Sequence, residues 1–189
     1  MDQGPAATHA RAGPSKLNER FGWFETSCGV AIGYAFSMTN VDHLAALLLE
    51  RGAFLAVAES LTGGRLQAAL TAKSGASHFF AGGLTAYTLE QKVALLGVDR
   101  VEAQAVNCVS AAVAHQMVTG VAERFGVSVA AATTGYAEPW GDVDVAQAHF
   151  ATLVDGVVVC EWLAVPGCTR LQVQQRVVDA VLDALVKRL

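Results

Sequence analysis

The sequence predicts an α/β domain in which a mixed sheet is covered by helices on both faces. Three observations predict it. Helix-period and strand-type segments mostly alternate from residue 40 to residue 189. The segment Ala53–Ala58 is a short continuous apolar run, the pattern of a strand buried on both sides, and Val127–Thr133 reads as another buried strand. Near the end, Asp155-Gly156 separates two apolar runs, a two-residue hairpin signal that adds antiparallel pairing to the sheet.

The elements follow in chain order. Asn40 reads as an N-cap, and Leu44, Leu47 and Leu48 recur at helical spacing up to Gly52, so a helix is expected over 41–51. After the strand Ala53–Ala58, the run Glu59-Ser60-Leu61-Thr62-Gly63-Gly64 makes a strand-to-helix turn. Thr62 is placed to cap the following helix, about 63–73. Phe79–Tyr87 reads as a strand whose Gly82-Gly83 suggests a bulge or a close backbone approach. A short helix over 88–95 ends at Gly97, and 99–108 reads as a linker. Ser110 caps a long amphipathic helix that closes at Gly126. The strand Val127–Thr133 leads into a loop, 135–144, with Pro139 and two glycines. The hairpin strands are 149–154 and 157–164. The final helix, 169–188, places Val173, Val177, Val181 and Leu185 on one face.

Composition bounds the function. Hydrophobic residues make up 53% and charged residues 16% of 189 residues, which fits one large core and excludes a disordered chain. Net charge is -4 and no Lys/Arg block occurs, so nucleic acid is not an expected partner. Cys28, Cys108, Cys160 and Cys168 form no C-x-x-C pair and read as reduced thiols of a cytoplasmic protein. The scattered histidines match no zinc spacing, so no metal is expected. No apolar run reaches the roughly 20 residues that span a bilayer. Residues 1–37 differ from the rest, with Gly4, Pro5, Gly13 and Pro14 before an aromatic cluster at Phe21, Trp23 and Phe24. They are expected to be an N-terminal extension, disordered or preceding a native start at Met38, with 38–189 as a single domain.

The chemistry centres on the turn after the first buried strand. In open α/β sheets, ligands gather where strand carboxyl ends meet helix N-termini. Ser60 sits at such an end. Its plain reading, with Thr62, is a helix cap. Its functional reading is a nucleophile. Tyr87 closes a later strand and Lys92 follows five residues on. A desolvated lysine releases its proton easily and can then take one from a serine hydroxyl, with a tyrosine nearby to relay or orient it. A solvated surface lysine is the ordinary alternative.

The run Ala58-Glu59-Ser60-Leu61-Thr62-Gly63-Gly64 resembles the A-E-S-C/L-T-G-G signature of the CinA C-terminal family. Phe80-Ala81-Gly82-Gly83-Leu84-Thr85-Ala86-Tyr87 matches that family's F-x-G-G-x-x-x-Y, and Lys92 with Leu95-Leu96-Gly97-Val98 its K-x-x-L-L-G-V. Val109-Ser110, Ala114, Met117 and Gly120, then Thr134-Gly135, and finally Pro166-Gly167 with Arg170 complete six collinear elements over residues 40–189. The resemblance implies a three-layer α/β/α sandwich with a mixed, mostly parallel sheet. It implies hydrolysis of the carboxamide of nicotinamide mononucleotide to nicotinic acid mononucleotide and ammonia, without cofactor or metal. Carried onto this chain, Ser60 is the nucleophile, Lys92 the base and Tyr87 its helper. Glu59, Thr62, Gly63, Gly64, Gly83, Thr134, Gly135 and Arg170 form the substrate site. Amides from Thr62 to Gly64 would hold the oxyanion, and Arg170 would meet the substrate phosphate or stand as a solvated first-turn residue. The implied partners are a pyridine nucleotide or related amide and, through exposed apolar helix faces, a second copy in a homodimer. No membrane partner is implied.

The chain departs from that pattern in one place above all. The family's T-G-I-A-G-P-x-G-G reads here Thr134-Gly135-Tyr136-Ala137-Glu138-Pro139-Trp140-Gly141-Asp142. Glu138 and Asp142 bring negative charge where a phosphate would come. Asn107-Cys108 also replaces Gly-Ala, and Cys168-Thr169 stands at the G-D positions. Two other functions therefore stand beside the first: a catalytically silent paralogue that binds a nucleotide or a protein, and an amidase for a small amide without a phosphate.

Overall fold

The computed structural model describes residues 21–25, 31–35 and 39–189. The chain divides into two compact units at Met38. In the first, β1 (Phe21–Glu25) and β2 (Ala31–Ala35) pair antiparallel, with Phe21 opposite Ala35. The rest of what the sequence suggests for residues 1–37, including docking of the aromatic side chains, lies outside the described residues.

The second unit runs α1 (Asn40–Arg51), β3 (Leu55–Glu59), α2 (Arg65–Thr71), a 3₁₀ turn at Ala76–His78, β4 (Phe80–Thr85) and α3 (Leu89–Leu96). It continues with α4 (Arg100–Ala105), α5 (Ala111–Phe125), β5 (Val129–Tyr136), β6 (Gln147–Val154), β7 (Val157–Ala164) and α6 (Arg170–Arg188). The sheet order is β4-β3-β5-β6-β7. Strands β4, β3 and β5 are mutually parallel, β6 is antiparallel to β5, and β7 is antiparallel to β6. Only β6 therefore opposes the common direction, which is the mixed, mostly parallel sheet expected.

The two faces of the sheet are paved differently. One presents Leu55, Val57, Val129 and Phe150 to α1, α2 and α6. The other presents Ala56, Ala58, Ala130, Ala132 and Ala151 to α3, α4 and α5. In β3 the strand period of two sends Leu55 and Val57 to one side and Ala56 and Ala58 to the other. Methyl side chains let α5 lie close over the centre of the sheet, where it touches β3, β5 and β6. With both faces covered, the strands need no polar side, and β3 is buried along its whole length.

Three expectations change. The N-cap of α1 is Thr39, not Asn40: its hydroxyl accepts from the Asp42 amide while Asp42 reaches back to the Thr39 amide, a capping box. The expected linker 99–108 contains α4, capped by Asp99, whose carboxylate accepts from the Glu102 amide at 2.7 Å. A helix of six residues with one buried side chain, Ala103, is too short to show a period. The loop of 135–144 begins later, because β5 stays paired with β6 through Tyr136. The irregularity foreseen at Gly82-Gly83 is present: along β3, Leu55 faces Phe80 and Ala56 faces Gly82, which skips Ala81.

Candidate active site

Because β3, β4 and β5 are parallel and adjacent, their carboxyl ends open on the same side of the sheet. Residues just beyond those ends line a cleft of about 480 Å³: Ser60 and Leu61 after β3, Tyr87 and Thr88 after β4, and Thr134 to Tyr136 at the end of β5. Lys92 on α3, Cys108 before α5, and Glu138, Trp140 and Arg170 complete the wall.

Ser60 and Lys92 meet on the floor. The Lys92 Nζ lies 2.9 Å from Ser60 Oγ and 3.0 Å from each of two backbone carbonyl oxygens, Ala86 and Tyr87. The lysine is 1% exposed and Ser60 7%. Among the described residues, no carboxylate is a partner of the amine. Burial pushes the Lys92 pKa below the usual lysine value, and the neighbouring Cys108 opposes this to a lesser degree. The nitrogen thus has three acceptors around it, two carbonyl oxygens and the Ser60 hydroxyl oxygen. Once it gives up a proton, its lone pair can turn to that hydroxyl and accept the serine proton.

Tyr87 departs from its expected role. Its phenol makes no hydrogen bond to Ser60 or Lys92 but accepts from Arg170 at 2.9 Å, and the residue is 57% exposed. What Tyr87 gives the lysine is its backbone carbonyl. Arg170 lines the cleft as expected, and its other terminal nitrogen donates to Glu138 at 2.9 Å. Thr134 and Gly135 also line the cleft. The Thr134 hydroxyl donates to the Cys108 carbonyl at 2.6 Å, which ties β5 to the turn before α5. A Cβ on Gly135 would stand 2.3 Å from the Gln147 carbonyl oxygen, so sheet pairing itself demands glycine there.

Five expected substrate residues are supports instead. Glu59 is fully buried, and its carboxylate accepts from the amides of Gly64, Leu66 and Gln67 at 2.9–3.1 Å. It caps α2, the role the sequence suggested for Thr62. Thr62 is buried with its hydroxyl 2.8 Å from that of Thr133. The Gly63 amide donates to the Ser60 carbonyl and the Gly64 amide to Glu59, so neither is available for an oxyanion. Gly83 packs: a Cβ there would meet Val57 and Gln67 at 2.6–2.8 Å. The sequence offered no signal for Ala86, which acts through a carbonyl oxygen that every residue carries. Nor did it mark Thr133, whose hydroxyl braces the serine turn from β5. Among the described residues, no group of three or more His, Cys, Asp and Glu side chains could hold a metal.

The model of the CinA C-terminal domain family matches residues 38–189. The chain belongs to that family. It is 39% identical over 145 residues to a CinA-like protein of Frankia casuarinae, covering 76% of this chain and 33% of the relative. It is 37% identical over 160 residues to a CinA-like protein of Mycobacterium marinum, covering 82% of this chain and 37% of the relative. The chain thus spans about a third of the length of these curated relatives. Among solved structures, a CinA superfamily protein from Klebsiella pneumoniae superposes with a TM-score of 0.75 at 29% identity, over 79% of this chain and 94% of that one. One from Escherichia coli gives 0.75 at 29% identity, over 84% and 95%. The three-layer α/β/α CinA C-terminal fold is therefore this domain's fold. Among its described residues, no helix is long and apolar enough to cross a membrane.

Proposed function

We propose that this CinA C-terminal domain is a serine amidohydrolase acting on the carboxamide of a pyridine nucleotide or a close relative, nicotinamide mononucleotide being the reference substrate. One observation carries the reading: a buried amine without a carboxylate partner faces a serine hydroxyl at the cleft floor. An ordinary core does not retain such an amine, because a desolvated lysine costs stability whether it is charged or neutralised.

The steps use groups already in place. The Ser60 proton passes to the Lys92 Nζ as Oγ bonds to the amide carbon. The resulting oxyanion sits near the amide of Leu61, which has no hydrogen-bond partner among the described residues and belongs to the residue after the nucleophile. The C–N bond then breaks and the Lys92 proton leaves with ammonia. Water attacks the ester, giving its proton to Lys92, and the acid departs with Ser60 restored. The proposed reaction needs no cofactor and no metal.

The test is ammonia release from nicotinamide mononucleotide by the purified protein beside Ser60→Ala. The expected result is release that disappears with the hydroxyl. A folded protein that releases no ammonia from this nucleotide or from its nucleoside overturns the reading.

A further inference from the structure

Arg170 and Lys92 are the only cationic side chains lining the cleft among the described residues. Lys92 is spent on Ser60 and two carbonyls. Arg170 already has company: one terminal nitrogen donates to the Glu138 carboxylate and the other to the Tyr87 phenol, both at 2.9 Å. A guanidinium grips phosphate through its fork, and both arms of this fork are engaged from inside the chain, one of them by an anion.

The helix ends at the cleft carry caps of their own. At α6, the Thr169 hydroxyl takes the Gln172 amide and the Gln172 side chain takes the Thr169 amide, a capping box. At α3, Thr88 takes the Gln91 amide, and Glu90 adds a negative charge in the first turn. The rim carries instead one carboxylate and three aromatic side chains, Tyr87, Tyr136 and Trp140. A carboxylate with aromatic faces is a surface for a flat cation.

We propose that Glu138 makes this cleft select a cationic pyridinium carboxamide without a phosphate, the nucleoside rather than the nucleotide. This rests on the amidohydrolase reading and narrows its substrate. Glu138 already pairs with Arg170, so an incoming phosphate must share that cation with an anion and lie beside it. A riboside brings no second anion and leaves the ion pair intact.

Binding separates this from the hydrolase reading. Nicotinamide riboside and nicotinamide mononucleotide are titrated by calorimetry into Ser60→Ala protein, where turnover is blocked. The nucleoside is expected to bind at least as tightly as the nucleotide. Adding Glu138→Gln, which keeps the side chain's shape, should move the ratio of the two Kd values about tenfold toward the nucleotide, the worth of one charged contact. Adding Arg170→Gln on top should erase that gain, which a merely structural role for Glu138 would not produce. A nucleotide preference of tenfold or more with Glu138 intact, or a ratio unmoved by Glu138→Gln, overturns the proposal. So does a folded protein that binds neither ligand. The expected ratios without ammonia release from the Ser60-containing protein would fail only the hydrolase reading. Ammonia release with unmoved ratios would fail only the role of Glu138.

Discussion

Two corners of the domain each bring together a lysine and the N-terminus of a helix that is capped by a carboxylate, and they arrange the charges oppositely. At the outer corner, Asp42 in the first turn of α1 also takes Lys73, Nζ to Oδ1 at 2.7 Å, with both side chains partly in solvent. At the inner corner, Glu59 caps α2 and Lys92 sits below Ser60, both essentially removed from water. Those two do not pair. Glu59 is satisfied by three amides, and Lys92 by two carbonyls and a hydroxyl. The difference teaches what makes a base. An ion pair holds an amine protonated. Burial without a counter-charge pushes an amine toward losing its proton, and the fold leaves Lys92 in that state by giving the neighbouring carboxylate a helix to cap.

Removing each amine in turn breaks the comparison most directly. Lys92→Met should lower ammonia release by about 10³-fold, the scale of a lost general base. Lys73→Met should leave it within about twofold, as expected of a surface pair far from the reaction. Steady-state rates on the same substrate read both. Equal losses would mean that the inner lysine has no special role.

The carboxylates come next. Glu59→Ala orphans one buried and two partly buried amides at the start of α2 and should cost about 2–3 kcal/mol in denaturant unfolding. Activity should fall with it, because the same turn holds Ser60. Glu59→Gln keeps acceptor capacity on one side only and should fall between the two.

Much of the inner corner could be read from the sequence, and the reason is local. Ser60 is one residue past a buried strand, and Lys92 is held by the short helix that follows the next strand, so chain connectivity places them. The alternation of apolar runs likewise foretold a sheet covered on both sides, because burial on both faces leaves its mark in the apolar stretches Leu55–Ala58 of β3 and Val129–Ala132 of β5. What escaped depends on where a side chain turns after it leaves the backbone. The Tyr87 phenol swings to Arg170 while its carbonyl does the work. Glu59 looks like a ligand residue but faces the helix behind it. The α4 helix is too short to carry a period. The Glu138–Arg170 contact joins residues 32 apart in a loop and a helix, and no spacing rule connects them.

Acidity sharpens the same comparison with a smaller effect. Lys92 is pushed below its ordinary pKa by burial, so between its folded value and its unfolded value the unfolded chain binds more protons. Stability should therefore rise with pH across that window, and activity should rise as pH passes through the folded value. Thermal melts from pH 7 to about 10 should show the slope in the native protein and its loss in Lys92→Met. A slope retained in that variant would assign it to another group.

The outer corner titrates at the other end of the scale. The hydrogen bond from Lys73, helped by those from Thr39, lowers the Asp42 pKa from 3.8 to about 2. A carboxyl with a depressed folded pKa contributes stability above its unfolded value and loses it as pH falls through the folded one. Asp42→Asn should thus cost under about 1 kcal/mol at neutral pH, given how exposed the pair is. The gap between variant and native should narrow below pH 4 and close near pH 2, and 1 M salt at neutral pH should shrink it, because an exposed pair is screened. The inner corner should respond far less to the same salt, since Glu59 and Lys92 are both removed from solvent, where screening is weak. Salt sensitivity at Lys92 equal to that at Lys73 would show that water reaches the floor of the cleft, and an amine so hydrated would keep its proton.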